Sequence, residues 1–352
     1  MRYHDVSDRF ATVSPDQLIR CDMTVRRSDC NCIVILHNPK AGRWPADKKV
    51  GRLVSALADR GYSVRVSQNL GEAVELANGE FEAGRLKCLI GAGGDGTAGE
   101  LINRVVPGLP LSFFPTGTSN LVASYFGFSR KPAKAVETLT NGEPIAIDAG
   151  VANGRLFLVM LSCGFDAAAV EMVHRKRMQG HRGGRGGFAT FIGPICHLIG
   201  TYPFPEMTVQ VWNGHDGSGA SSMHPQANPS ATLAARWVFV FNLPRYGWGL
   251  PISPEANATD GLLDLCTYRE GGFWKGLWYT LMTQFQLHRR LRDFQHLRGR
   301  RFRITAEAPV PYQLDGDPAG YLPVEVEVAP RRVHIVVPKG IARRLAATAP
   351  GS

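Results

Sequence analysis

The sequence predicts an α/β N-terminal domain built on a doubly wound parallel sheet, followed by a mainly antiparallel β-sandwich C-terminal domain, with a cleft between them. Short apolar runs alternate with helical periodicities from Cys32 to about residue 143. Beyond about residue 144 the pattern changes to many short strand-like runs. Between these signals, glycine-rich loops close several early strands, as ligand loops do in parallel sheets.

Residues 1–30 have little periodicity and are expected to form a mobile extension or a surface arm. The first strand is Ile33–Leu36, and Val50, Leu53, Val54 and Leu57 then recur at helical spacing until Gly61 ends the helix. Strands at Ser63–Ser67, Leu86–Ile90 and Leu111–Phe114 follow, separated by a helix near Glu72–Ala77 and another after Thr97. This series predicts a nucleotide-binding domain over 31–143 whose loops converge at one sheet edge. From 144 to 340 the runs Arg155–Leu161, Thr208–Trp212, Arg236–Phe241, Leu262–Cys266, Arg301–Thr305 and Val333–Val337 predict strands, and Val324, Val326 and Val328 alternate with period two. A β-rich substrate domain results, with a C-terminal tail at 341–352. Residues 213–230, rich in Gly, Ser, Ala, Asn and His, read as an exposed loop extension. Trp237, Trp248 and Trp278 are expected in the core or in the cleft wall.

With 352 residues and 44% hydrophobic content, the chain can fill a core in each of two domains. Lys and Arg outnumber Asp and Glu by 40 to 30, so anionic partners are favoured: nucleotide phosphates, acidic lipid headgroups or nucleic acid. No recognised nucleic-acid module is present, and nucleic acid is not expected as a partner. Seven scattered cysteines without C-x-x-C spacing argue against a disulfide framework or zinc site and predict a reducing, cytoplasmic setting. The apolar stretches Phe188–Gly200 and Phe273–Phe285 are too short and interrupted to span a bilayer. Basic segments lie beside both, at His174–Arg177, Arg182–Arg185 and His288–Arg292, which suits either a peripheral anionic membrane contact or a solvated basic face.

Gly93-Gly94-Asp95-Gly96-Thr97 follows a strand and opens a helix, where backbone N–H groups and the helix N-terminus favour phosphate. Asp95 would repel a phosphate unless it works on metal, water or a proton, so phosphoryl chemistry is indicated. Asn38-Pro39-Lys40-Ala41-Gly42 and Pro115-Thr116-Gly117-Thr118-Ser119-Asn120 end neighbouring strands and bring amides and hydroxyls to the same edge. No Gly-x-x-x-x-Gly-Lys-Ser/Thr or Gly-x-Gly-x-x-Gly sequence occurs where a P-loop or dinucleotide site requires it.

Taken in order, these three loops resemble the diacylglycerol kinase catalytic family, which includes bacterial lipid kinases and sphingosine and ceramide kinases. Ile147-Asp148-Ala149-Gly150, Cys163-Gly164-Phe165-Asp166-Ala167, Asp260-Gly261-Leu262-Leu263-Asp264 and Leu314-Asp315-Gly316-Asp317 continue the resemblance to about residue 340. It implies a lipid kinase that transfers the γ-phosphate of ATP, with Mg²⁺, to a diacylglycerol-like or sphingoid hydroxyl. It further implies ATP contacts at Asn38, Ser67, Gly93, Gly94, Asp95, Gly96, Thr97, Ala98, Gly99 and Thr118, and a Mg²⁺ held by Asp260 with the carbonyls of Asn257 and Leu262. The family's catalytic Asp-Gly-Glu reads Asp315-Gly316-Asp317 here, so the base is Asp317 or Asp315, with Asp95 assisting. A lipid substrate and transient contact with an anionic membrane surface follow, and a homodimer stays open. Asp95, Asp260, Asp315 and Asp317 are expected around one pocket, and Asp95→Asn is expected to leave stability almost unchanged. Two alternatives stand beside this reading: an NAD kinase-like or phosphofructokinase-like enzyme, which shares Gly-Gly-Asp-Gly-Thr, and a catalytically weak nucleotide- or lipid-binding protein.

Overall fold

The computed structural model describes residues 30–39, 41, 46–179, 189–213, 228–247 and 249–347. Lys40, Gly42, Trp248, Arg182, Arg185, most of the 213–230 loop and nearly all of the N-terminal extension lie outside the described residues.

In chain order the first half comprises β1 (Cys32–His37), α1 (Asp47–Ala58), β2 (Ser63–Ser67), α2 (Leu70–Glu82), β3 (Leu86–Gly93), α3 (Asp95–Ile102), β4 (Pro110–Pro115), α4 (Leu121–Tyr125) and α5 (Pro132–Asn141). The strands pair in parallel in the order β2-β1-β3-β4. β1 is buried on both faces, as its uninterrupted apolar sequence requires. Ile33 and Ile35 pack with Val50, Leu53 and Leu57 of α1 and Val136 and Leu139 of α5. Val34 and Leu36 face the opposite layer, with Ala73 and Ala77 of α2 and Leu101 of α3. Helices thus cover both sides of the sheet, and α3 begins directly where β3 ends.

The second half comprises β5 (Glu143–Ala152), β6 (Arg155–Phe157), β7 (Met160–Cys163), α6 (Phe165–Met178), α7 (Ala189–Thr201), β8 (Met207–Trp212), β9 (Ala231–Ala235), β10 (Trp237–Phe241) and β11 (Leu263–Tyr268). It continues with α8 (Phe273–Gln284), β12 (Phe294–Gly299), β13 (Arg301–Ala306), β14 (Pro311–Leu314), β15 (Asp317–Tyr321), β16 (Val324–Val337) and α9 (Lys339–Ala346). The expected strand Arg155–Leu161 is two strands, because Leu158 and Val159 turn their N–H groups to the Asp315 carboxylate instead of a neighbouring strand.

β16 joins the two halves. Its first residues pair antiparallel with β13, while His334 and Ile335 pair parallel with Pro110 and Leu111 of β4. A register irregularity against β5 between Ala329 and Val333 separates the part of β16 that pairs β13 from the part that pairs β4. A ten-stranded sheet therefore runs through both halves. Its C-terminal part packs on an antiparallel six-stranded sheet, β12-β11-β10-β7-β14-β15. Val209, Val211, Phe302, Ile304, Val324 and Val326 from the large sheet meet Leu161, Val238, Val240, Leu265 and Leu314 from the small one, forming the sandwich core.

The outer face of the small sheet carries aromatic side chains under α8 and the segment around Phe204. Trp237 stacks near Phe165 and Phe204, and Tyr268 stacks on Tyr279 at 4.2 Å. Trp237 is buried as expected, but Trp278 is 47% exposed and belongs to neither core nor cleft wall. It lies about 100° around α8 from Tyr279, which takes the buried position.

Phe302 is fully buried at the centre of the sandwich. Phe302→Ala is expected to cost about 3–5 kcal/mol, read as a lowered urea midpoint with an unchanged slope.

Candidate active site

β3 delivers the chain into α3 through Gly93 and Gly94, and both glycines are required by close approach. A Cβ on Gly93 would lie 2.1 Å from Thr97 Oγ1, and a Cβ on Gly117 would lie 2.6 Å from the Gly94 Cα. The β3–α3 and β4–α4 loops are thereby packed backbone to backbone. The N–H groups of Thr116 and Gly117 donate to the Gly93 carbonyl at 2.9 and 3.2 Å. Asn38 joins the same corner from β1, its Nδ2 donating to Thr97 Oγ1 at 3.2 Å. Two buried atoms here, Thr116 Oγ1 and Asn120 Oδ1, have no hydrogen-bond partner among the described residues. The Thr116 hydroxyl can donate to an anionic group beside the N-terminus of α3, whereas Asn120 Oδ1 can only accept from a donor.

Asp95 is the first residue of α3, and its Oδ1 accepts the Val122 N–H at 3.0 Å. Asn120 is in the left-handed conformation and makes no side-chain cap, so Asp95 supplies from α3 the acceptor that the N-terminus of α4 lacks. Burial raises the Asp95 pKa, while the Leu121, Val122 and Asn120 N–H groups oppose the rise. Asp95→Asn keeps an Oδ1 acceptor for the Val122 N–H and removes a charge that burial disfavours, so nearly unchanged stability remains the expectation for thermal unfolding to check.

The C-terminal domain contributes Asp315 and Asp317 on the β14–β15 turn. Asp315 is in the left-handed region (φ 52°), and its carboxylate accepts the N–H groups of Leu158, Val159 and Met160 at 2.7, 2.8 and 3.0 Å. Enclosure pushes its pKa up to about 6, with Asp95 adding a smaller push of like sign. A Cβ on Gly99 would lie 3.9 Å from Asp315 Oδ2, and one on Gly96 would lie 3.7 Å from Asp317 Oδ2. The fold thus brings Asp95, Asp315 and Asp317 to the first turns of α3, alongside Gly93, Gly94, Gly96, Thr97, Ala98, Gly99 and Asn38. Thr118 lies in the adjoining loop. Ser67 ends β2, where its hydroxyl donates to Glu72 Oε2 at 2.6 Å and accepts the Asn69 N–H, bonds that start α2.

Asp260 is elsewhere. It lines a cavity of about 670 Å³ with Tyr125, Arg245, Asn257, Arg298 and Arg344, and its main charged neighbours are Arg298, Asp264 and Asp148. α4 touches both groups: Leu121, Ser124 and Tyr125 line this cavity, and the Val122 N–H is held by Asp95. The loop does not fit a resident Mg²⁺ as folded. One Asp260 oxygen accepts the Leu262 N–H at 3.0 Å and the other takes the Arg298 guanidinium. A guanidinium stands where the resemblance expects a cation, and Arg298 also lies 3.7 Å from Asp264.

Support residues absent from the sequence reading stand behind the Asp315 turn. Gln313 accepts the Gly316 N–H at 2.7 Å and donates to Ser162, whose hydroxyl donates to Asp166. Tyr246 donates to the same carboxylate at 2.7 Å. Asp166 stands in a recognised motif, but Gln313, Ser162 and Tyr246 carry no local signal, since only folding brings them together. Asp148 similarly accepts the N–H groups of Gly261 and Arg331 at 2.7 and 2.8 Å, tying β5 to the Asp260 loop.

Two outcomes follow from this geometry. Gly93→Ala is expected to destabilise by about 1–3 kcal/mol through its clash with Thr97, whereas Gly96→Ala, with ordinary contact distances inside α3, should stabilise by about 0.5–1 kcal/mol; thermal unfolding compares them. Asp315 has a folded pKa raised above its unfolded value, so its stabilising contribution is present in full below about pH 4 and lost as pH rises through about 6. Denaturant titrations from pH 4 to 7 should show wild type losing ground relative to Asp315→Asn over that window, and a pH-independent difference would contradict it.

The diacylglycerol kinase catalytic domain matches residues 32–152, and the YegS C-terminal NAD kinase beta sandwich-like domain matches residues 159–337. A diacylglycerol kinase of Bacillus subtilis is 24% identical over 320 residues, covering 88% of this chain and 98% of the relative. One from Mycobacterium tuberculosis is 27% identical over 327 residues, covering 90% and 98%. A crystal structure of a diacylglycerol kinase from Bacillus anthracis has the same fold, with a TM-score of 0.60 at 17% identity over 88% of this chain and 98% of the other. A Gly-Gly-Asp-Gly-Thr corner closed by the Asp315–Asp317 turn, within domains that both match, makes this chain a member of the diacylglycerol kinase catalytic-domain family of lipid kinases.

Proposed function

We propose that the chain transfers the γ-phosphoryl group of Mg-ATP to a hydroxyl of a diacylglycerol-like or sphingoid lipid. The observation that carries this reading is the meeting of the Asp315–Asp317 turn with the first turns of α3, 220 residues earlier in sequence. Backbone N–H groups of Gly94 and Gly96 lie where they can hold phosphate oxygens, and the N-terminus of α3 favours their charge. Mg²⁺ arrives as part of the nucleotide substrate.

The two turn carboxylates divide the work. Both Asp315 oxygens are engaged by N–H donors, so Asp315 is a positioning residue that fixes the turn. Asp317 is partly exposed and faces Gly96, so it is assigned as the base. The β14–β15 turn carries Asp317 close enough to the helix that a Cβ on Gly96 would be in ordinary contact with its Oδ2, at 3.7 Å, although the side chain is one methylene shorter than glutamate. In the step, the lipid hydroxyl oxygen bonds to the γ-phosphorus, its proton passes to Asp317, and the bond to the β–γ bridging oxygen breaks to release ADP. Asp95 holds the β4–α4 loop in register with α3 and is a positioning residue in this scheme.

Incubation with radiolabelled ATP and a panel of diacylglycerol, monoacylglycerol, phosphatidylglycerol, sphingosine, ceramide and NAD tests the reading. Label is expected in a lipid, and Asp317→Asn should lower turnover about 10²–10⁴-fold with a nearly unchanged unfolding midpoint. Label in NAD alone, or in none of the panel, would sink the proposal. Full turnover by Asp317→Asn would remove that residue from the step.

A further inference from the structure

The helix α8 carries an apolar face that stands exposed among the described residues. Trp274 is 78% exposed and Phe285, directly after the helix, 66%, while Leu277, Trp278 and Leu281 between them are each about half exposed. Their spacing of three and four residues aligns them along one side. The opposite side is firmly seated: Tyr279 and Thr283 are buried, Tyr279 stacks on Tyr268, and Gly276 lies so close to Trp237 that a Cβ would fall 2.5 Å from the indole. The exposed stripe is therefore held rigidly outward.

Its surroundings are basic. Arg269 precedes the helix, Arg290 and Arg292 follow it, and all three are exposed with no carboxylate partner among the described residues. The Arg269 N–H donates to the Asp293 carbonyl at 3.0 Å, and Tyr279 of α8 donates to the Asp293 carboxylate, which brings Arg269 and Arg292 beside the helix. Two tryptophans, three other large apolar side chains and a cationic rim match the composition of a bilayer interface with acidic headgroups. No described helix is long and apolar enough to cross a membrane, and 12 residues of α8 span only about 18 Å, so the element would lie in the interface plane.

We propose that α8 docks the protein on an anionic bilayer, inserting Trp274, Leu277, Trp278, Leu281 and Phe285 below headgroups that Arg269, Arg290 and Arg292 contact. The choice of a bilayer over another partner rests on the lipid-kinase reading and on this charge match.

Sedimentation of the full chain with phosphatidylcholine vesicles, with and without phosphatidylglycerol, tests it in the absence of nucleotide. Binding should require phosphatidylglycerol and fall with salt. Leu277→Glu/Leu281→Glu should weaken binding about tenfold or more, and Arg290→Ala/Arg292→Ala should weaken it while flattening the salt dependence. Both variants should keep wild-type turnover on detergent-dispersed lipid and lose it on vesicles. Undiminished vesicle binding by both would overturn the proposal. So would a dimer in sedimentation velocity that Leu277→Glu/Leu281→Glu dissociates, since the face would then belong to a second copy. Vesicle binding without phosphorylation of any dispersed lipid would sink the kinase reading and leave the docking face intact; the reverse result would do the opposite.

Discussion

Asp315 is a carboxylate withdrawn from water and held by three successive backbone N–H groups, those of Leu158, Val159 and Met160. Much of the molecule's arrangement depends on that bond set. It interrupts what would otherwise be one strand from Arg155, aims the β14–β15 turn at α3, and brings Asp317 against Gly96. Removing a charge from water costs several kcal/mol unless donors replace the lost hydration, and three aligned N–H groups do so here. The balance remains slightly unfavourable to the charged form, as the raised pKa records. That residual cost is the physical sign of a carboxylate kept for position, not for stability.

From the N-terminal side, the corner is fixed by small residues. Gly93, Gly94 and Gly117 let two loops touch at their backbones, and Asp95 reaches across to cap α4. β16 supplies the larger frame, pairing β4 at one end and β13 at the other, so the strands that end at the phosphate loops and one layer of the sandwich belong to one sheet, on which the sheet carrying the Asp315 turn packs.

Features that depend on local chemistry were legible in the sequence. β1, β3 and β4 show as apolar runs because they are buried on both faces, whereas the edge strand β2 is largely exposed and shows only through its alternating valines; Gly93 shows because close approach to Thr97 admits no side chain. Asp95 stood out for its place in a glycine loop, whereas Asp315 and Asp317 were marked only by the family resemblance. What escaped was set by distant partners. The parallel pairing of His334 and Ile335 with Pro110 and Leu111 joins segments more than 200 residues apart. Arg298 carries no mark of its place on Asp260, which comes from β12 lying beside β11. Trp278 reads as a core residue by composition, and only the seating of Tyr279 on Tyr268 turns it outward.

The central claim is that nucleotide phosphates bind where the first turns of α3, the 115–120 loop and the Asp315–Asp317 turn converge. Hydrogen–deuterium exchange of the full chain, with and without a non-hydrolysable Mg-ATP analogue, tests it most directly. Slowed exchange at residues 93–99, 116–120 and 315–317 together is the predicted result. Protection confined to the cavity around Asp260 and Arg298, with α3 unchanged, would contradict it.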